Sequence, residues 1–211
     1  QAMLIHAYLD AYLVTKNIFY KTVVDEIITY VLRDMTSQEG GFYSAEDADS
    51  QGEEGTFYVW KISEINDLFD SSDSDLIIDY YNLNEKGNWS HGRRHGQTNI
   101  FHVKEDSLIF SNRKSLDIKS FRNKINNLNE ILFNEREQRV HPQKDDKILT
   151  DWNGMMISAI ARAARILDNE EYGKHAIKAM DFILKNLKQE DGKLLKRYRN
   201  GKSGLDGVLN F

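Results

Sequence analysis

The sequence predicts an all-α protein, a partial α/α toroid with short β-hairpin insertions, and three observations carry that prediction. The first is an internal repeat. Laying Met3 on Met155 aligns the chain with itself, without a gap, as far as Gly40 on Gly192. Met3, Ile5, Ala7, Ala11, Asn17, Tyr20, Leu32 and Gly40 fall on identical residues, and most other pairs are alike in character. The second is that the two helices of each repeat differ in amphipathicity: one is apolar nearly all round and the other carries a single apolar stripe. The third is that short polar turns join them, as antiparallel neighbours require.

In chain order, MLIHAYLDAYLV predicts an inner helix over residues 2–15, buried on every side. Val24, Ile27, Ile28, Val31 and Met35 then recur at helical spacing, which predicts a one-faced outer helix over 18–35. Gly41-Phe42-Tyr43 and Thr56-Phe57-Tyr58-Val59-Trp60 read as strands bracketing an acidic stretch, with Phe42-Tyr43-Ser44 the extended segment that follows the first hairpin. Ser63–Phe69 and Asp73–Tyr81 read as short helices. Gly87–Val103 reads as a Gly- and His-rich loop ending in a short strand. Phe121, Ile125, Leu128 and Leu132 mark an outer helix over 117–138. The second repeat supplies an inner helix over 151–167 and an outer helix over 170–188, followed by the alternating segment Lys193–Tyr198. Inner and outer helices alternating in hairpins form the pattern of an α/α toroid, of which this chain would supply an arc of about three hairpins at average helix length. An ordinary helical bundle or solenoid would show the same periodicity.

Composition bounds the function. With 211 residues, 40% of them hydrophobic, the chain can bury a core. It contains one proline and no Ser/Gly-rich linker, so residues 1–211 read as a single fragment of one domain. A net charge of −5 argues against nucleic acid as the main partner. The absence of cysteine excludes disulfides, thiolate catalysis and Cys-ligated zinc. No apolar run reaches the length of a membrane span and no signal peptide is visible, so no membrane partner and a cytoplasmic location are expected. The chain lacks an initiator methionine and ends on Leu209-Asn210-Phe211, so a piece of something longer is expected, with self-association through its truncated ends.

Two constellations carry candidate chemistry. In GGFYSAEDADSQGEEGTFYVW, Glu46, Asp47, Asp49, Glu53 and Glu54 lie among aromatics. Asp47, Asp49, Gln51 and Gly52 match the start of a calcium loop, but the position of its bidentate Glu holds Tyr58, so no metal is expected. Paired carboxylates near flat aromatic faces suit sugar chemistry, one acting as acid and the other as base or nucleophile. An acidic turn between strands would look the same. In DDKILTDWNG, Asp145, Asp146, Asp151 and Asn153 surround Trp152 at the start of an inner helix. Thr150 or Asp151 would serve there as a plain N-cap. Among the histidines, His91 and His95 join Arg93 and Arg94 in a basic loop that reads as solvated. His6 reads as a satisfied core residue. His102, closing Thr98-Asn99-Ile100-Phe101, is the histidine carried forward as a base. The catalytic candidates are therefore Glu46, Asp47, Asp49, His102, Asp145, Asp146 and Asp151. The substrate-binding candidates are Tyr43, Tyr58, Trp60, Trp152 and Asn153. No cofactor is called for.

GGFYSAEDADSQGEEGTFYVW, then GNW and TNIFH, then RVHPQKDDKILTDWNGMMI, in that order, resemble the YyaL-type family, also described as spermatogenesis-associated protein 20-like. The resemblance covers nearly the whole chain. It implies a six-hairpin α/α toroid similar to glycosidases and N-acylglucosamine 2-epimerases, preceded in the family by a thioredoxin-like domain that this chain does not contain. The Lys61-Ile62-Ser63-Glu64 segment departs from the family's usual Thr-Pro-Glu helix start, and the loop SHGRRHGQ is longer and more basic than in the family. The resemblance implies no established activity. Two readings stay open: a carbohydrate-active or carbohydrate-binding toroid fragment with a sugar ligand, and a non-catalytic scaffold or protein-interaction toroid serving the thioredoxin-like domain.

Overall fold

The computed structural model of the protein describes residues 1–89 and 97–207. The basic loop with His91, Arg93, Arg94 and His95 lies outside the described residues, as does the apolar end from Val208 to Phe211. The described residues form eight helices and seven short strands. They divide into two compact units, one formed by residues 1–46 and 144–211, the other by 47–143.

The first unit holds the repeat. Helices α1 (Ala2–Thr15) and α2 (Ile18–Asp34) form one hairpin, and α7 (Thr150–Leu167) and α8 (Glu170–Asn186) form the other. The correspondence extends below the level of helices. Both inner helices end on a non-glycine residue in the left-handed region, Lys16 at φ 57° and Asp168 at φ 53°. The next residue caps the outer helix: Asn17 Oδ1 accepts from Phe19 N at 3.0 Å, and Asn169 Oδ1 accepts from Glu171 N at 3.1 Å. Both outer helices lead into a turn containing a left-handed glycine, Gly40 at φ 108° and Gly192 at φ 86°. These turns are closed by equivalent bonds, Ser37 N to Gly41 O and Gln189 N to Lys193 O, each 2.8 Å. Matching local sequences thus satisfy the orphan groups at helix ends in matching ways.

The core of this unit is mainly aliphatic. Ile5 and Leu9 of α1, Val24 and Ile28 of α2, Ile160 and Ala163 of α7, Ala179 of α8 and Leu187 just after it are all fully buried. Helix α1 packs on both α2 and α7. Its expected burial on every side is corrected: Ala2, Ile5 and Leu9 are buried, but Met3 is 70% and Val14 85% exposed. Apolar sequence gives a face the capacity to be buried, but a neighbour must be there to bury it.

Strands β1 (Ala45–Glu46) and β4 (Lys144–Asp145) pair antiparallel, Ala45 opposite Asp145 and Glu46 opposite Lys144. Strand β5 (Ile148–Leu149) pairs with β6 (Leu195–Arg199), which pairs with β7 (Lys202–Asp206). The alternating segment after the second hairpin is therefore a strand. Its counterpart Phe42-Tyr43-Ser44 is not, making a single bridge from Phe42 to Thr36.

The second unit contains α3 (Ile62–Leu68), α4 (Ser71–Tyr80), α5 (Ser107–Arg113) and α6 (Ile118–Arg136). Helix α6 is the helix expected over 117–138. Its stripe of Phe121, Ile125, Leu128 and Leu132 packs into this unit's own core with Trp60, Ile65, Ile77 and Phe110. Helix α5, started by Asp106 capping Leu108 N at 2.7 Å, was not legible as a helix. The Thr56–Trp60 strand is also corrected. Tyr58 N and Val59 N both bond to Gly55 O, which makes a turn, and Trp60 makes only a bridge to Asn99. The strands of this region are instead β2 (Asp49–Ser50) and β3 (Glu53–Glu54), within the acidic stretch. Gln51 at φ 56° and Gly52 at φ 80° supply the two positive φ values that a two-residue hairpin turn needs.

No helix among the described residues is long and apolar enough to cross a membrane.

Candidate functional site

Within the first unit, the elements that follow the two outer helices bring several of the candidate residues onto adjoining segments. Ser44 N donates to Asp145 O at 3.1 Å and Ser44 Oγ to Lys147 O at 2.6 Å, joining the segment after α2 to the one before α7. Tyr43 is half-buried and packs against the aliphatic core, its backbone N–H donating to Met35 O at 2.8 Å. Glu46, on β1, accepts from the Tyr30 hydroxyl at 3.3 Å. Burial, and secondarily the Glu46 charge, push the Tyr30 phenol up to about 12.

The aspartates before α7 are engaged by cations. Asp145 lies 2.9 Å from Lys147 Nζ, and this hydrogen bond holds its carboxyl below the ordinary aspartate value. It is thus an anion near neutral pH rather than a proton donor. Asp146 accepts from Arg199 Nε at 2.5 Å. Thr150 Oγ1 donates to Leu195 O, tying the first residue of α7 to β6. Asp151 stands exposed in the first turn of α7 and accepts from Trp152 N at 2.9 Å. Trp152 is 48% exposed.

Asn153 has a different position. It is 1% exposed, and its amide is fully occupied: Oδ1 accepts from Phe42 N at 2.7 Å, while Nδ2 donates to Phe42 O and Leu149 O, each at 2.9 Å. This one side chain ties the segment that follows the first hairpin to the start of α7.

The remaining candidates belong to the second unit. Asp47 Oδ1 accepts from Asp49 N at 3.2 Å, and Asp49 lies opposite Glu54 in the β2–β3 hairpin. Tyr58 is 40% exposed, with the Arg136 guanidinium 5.5 Å from its ring centre. Trp60 is buried, with Arg139 only 4.0 Å from its ring centre. Arg139 also donates to the Phe57 and Val59 carbonyls and pairs with Glu64, so it fastens the turn over α3. Glu64 in turn accepts from Lys61 N at 2.7 Å, which gives the Lys61-Ile62-Ser63-Glu64 start half of a capping box. His102 is exposed and set by Asn82, whose Nδ2 lies 2.8 Å from His102 Nε2. Among the described residues no three His, Asp or Glu side chains gather as metal ligands.

Sequence reasoning missed an ionic cluster between the inner helices. Arg162 on α7 pairs with Asp10 on α1 and lies 3.3 Å from His6 Nδ1, so His6 is half-buried beside a cation rather than enclosed in the core. The Arg162 hydrogen bond, opposed in part by desolvation, holds Asp10 below its ordinary value. The signal was available: Asp10 and Arg162 are repeat counterparts of opposite charge. Between the outer segments, the Tyr172 hydroxyl donates to Asp25 Oδ1 at 2.8 Å, and burial followed by that bond raises the phenol's pKa.

Comparison with known proteins places the chain among long relatives. Spermatogenesis-associated protein 20 of Homo sapiens is 32% identical over 225 residues, covering 97% of this chain and 28% of that protein. The Rattus norvegicus protein of the same name is 31% identical over 217 residues, covering 93% of this chain and 27% of its own length. An uncharacterized protein of Caenorhabditis elegans is 29% identical over 224 residues, covering 97% of this chain and 30% of its own. The chain thus spans under a third of the length of these relatives. No family model matches it.

Proposed function

Over the stretch it spans, this chain belongs to the spermatogenesis-associated protein 20 family, and from that premise we propose that it is an arc of an α/α toroid whose inner-helix rim binds carbohydrate. The observation that carries the reading is Trp152. An indole that is 48% exposed in the first turn of an inner helix, beside an accessible carboxylate, stabilises no core. A flat apolar ring next to a hydrogen-bond acceptor suits the face and hydroxyls of a pyranose. Asp151 is the acceptor nearest to that ring in sequence. Asp145 and Asp146, paired with Lys147 and Arg199, would supply further acceptors. The duplicated hairpins, with inner helix α1 against inner helix α7, support the toroid reading.

Calorimetric titration with a panel of mono- and disaccharides tests it. At least one sugar is expected to bind, and Trp152→Ala is expected to weaken it about fivefold, the loss of ~1 kcal/mol of aromatic contact. Asp151→Asn is expected to weaken it by less. If no sugar binds, or the Trp152 variant binds as the wild type does, the carbohydrate reading fails and the scaffold reading replaces it.

A further inference from the structure

Two grooves lie at the same repeat position, one on each outer helix. The groove on α2 has a volume of ≈ 330 Å³ and is lined by Thr22, Asp25, Glu26, Thr29, Tyr30 and Arg33. The groove on α8 has a volume of ≈ 510 Å³, and its lining includes Lys174, Ile177, Lys178, Asp181, Phe182 and Lys185. Shifted by the repeat, the first six residues fall on the second six, one for one. The groove is therefore a property of the hairpin and not of its surroundings. The first hairpin shows this directly. Its groove stays open although the second hairpin is docked beside it, with Tyr172 donating to Asp25 in the groove wall.

The chemistry of the two grooves is opposite. Where α2 carries Thr22, Asp25 and Glu26, α8 carries Lys174, Ile177 and Lys178. Three lysines line the α8 groove against two acids, Asp181 and Glu39, and the Glu39 carboxylate accepts from the Tyr198 hydroxyl at 3.1 Å. Lys178 is held in place: a Cβ on Gly40 would stand 2.7 Å from its Cγ, and its Nζ donates to Gln38 O at 3.0 Å. Lys174 makes an exposed pair with Glu171, a contact of little free energy that a ligand can displace. Among the described residues Lys185 makes no ion pair. Phe182, 4% exposed, gives the groove an apolar floor.

We propose that the α8 groove binds a phosphate monoester of an organic molecule, its phosphate held by Lys174 and Lys178 and its apolar body lying along Phe182 and Ile177 towards Lys185. Helix α8 sets Lys174 and Lys178 one turn apart, within about 6 Å at Cβ. A phosphate monoester carries a charge of about −1.5 to −2 near neutral pH and three acceptor oxygens, so it matches two ammonium groups where a carboxylate matches one. The volume of the groove falls within the range of about 300–1,000 Å³ found for small-molecule sites. The assignment is independent of the carbohydrate reading, which concerns the start of α7.

Calorimetric titration with phenyl phosphate, benzoate and inorganic phosphate tests the proposal. Phenyl phosphate is expected to bind more tightly than either of the others, and less tightly as salt is raised. Lys174→Gln and Lys178→Met, the second of which keeps the stem over Gly40, are each expected to weaken phenyl phosphate about fivefold while keeping the wild-type circular dichroism spectrum. Glu26→Gln, in the α2 groove, is expected to leave binding unchanged. The proposal is overturned if phenyl phosphate does not bind, or if benzoate or inorganic phosphate binds as tightly. It is equally overturned if the two lysine variants bind as wild type does, or if Glu26→Gln changes binding as much as they do.

Discussion

The first and second hairpins share their turns, caps and glycine positions but not their environments. Lys16 and Asp168 adopt the same left-handed conformation, and Asn17 and Asn169 cap the following helices with bonds within 0.1 Å of each other (3.0 and 3.1 Å). Yet Ala159 is fully buried while Ala7 is exposed, and Leu9 is fully buried while Ala161 is exposed. Backbone punctuation is thus dictated locally, by residues within a turn of one another. Burial is dictated by which neighbour a face meets, and identical residues at identical register can have either fate.

Substitutions at counterpart positions put this contrast to the test. The largest difference is expected at Asn153 and its counterpart Gln1. Asn153→Ala leaves the buried N–H and C=O of Phe42 without their partner, at a cost of about 3 kcal/mol. Gln1→Ala is expected to cost less than about 0.5 kcal/mol. Urea unfolding of the two variants measures both, and equal effects would mean that the Asn153 bonds to Phe42 add nothing to the contact between the hairpins.

A smaller contrast is expected at Ala159 and Ala7. Ala159→Leu inserts three carbons into the packed contact between inner helices and is expected to cost about 2 kcal/mol, whereas Ala7→Leu on the open side of α1 is expected to change monomer stability by less than about 0.5 kcal/mol. Thermal unfolding at low protein concentration reads the pair.

The smallest effect concerns the Asp10–Arg162 pair. Because Arg162 lowers the pKa of Asp10, the folded state favours the carboxylate. The resulting stabilisation is fully present above the unfolded value near 4 and is lost as pH falls through the lower folded value. Asp10→Asn is therefore expected to flatten the acid limb of the stability curve below about pH 4, and to leave its slope between pH 6 and 8 unchanged. Unfolding midpoints across that pH series are the measurement.

Much of the fold was legible because periodicity reports it directly. The single stripes of α2, α6 and α8 sit at one-faced spacing, and each helix ends within about two residues of its expected limit. The all-round apolar α1 was also found, but its burial was not, because hydropathy does not report neighbours. The acidic stretch misled for a local reason. Alternating Phe57 and Val59 suggested a strand, while the two positive φ values at Gln51 and Gly52 closed the hairpin earlier and left Phe57–Trp60 to turn inward. Trp152 and Asp151 could be placed from sequence because a helix start is a local feature. The full occupation of Asn153 could not, since its partner Phe42 lies far away in sequence and only tertiary structure brings them together. The Asp10–Arg162 pair was hidden in the repeat itself, where attention to identical counterparts passed over opposite ones.

The β1–β4 pairing has a practical consequence. The chain leaves the first unit at Glu46 and re-enters it at Lys144, and these residues are cross-strand partners. Just beyond them, Asp47 N still bonds to Gln143 O at 2.8 Å. Everything between enters and leaves through a neck two strands wide. Residues 46 and 144 are already cross-strand neighbours, so a deletion joining Glu46 to Lys144 through a tight turn is expected to leave a continuous tandem of two hairpins.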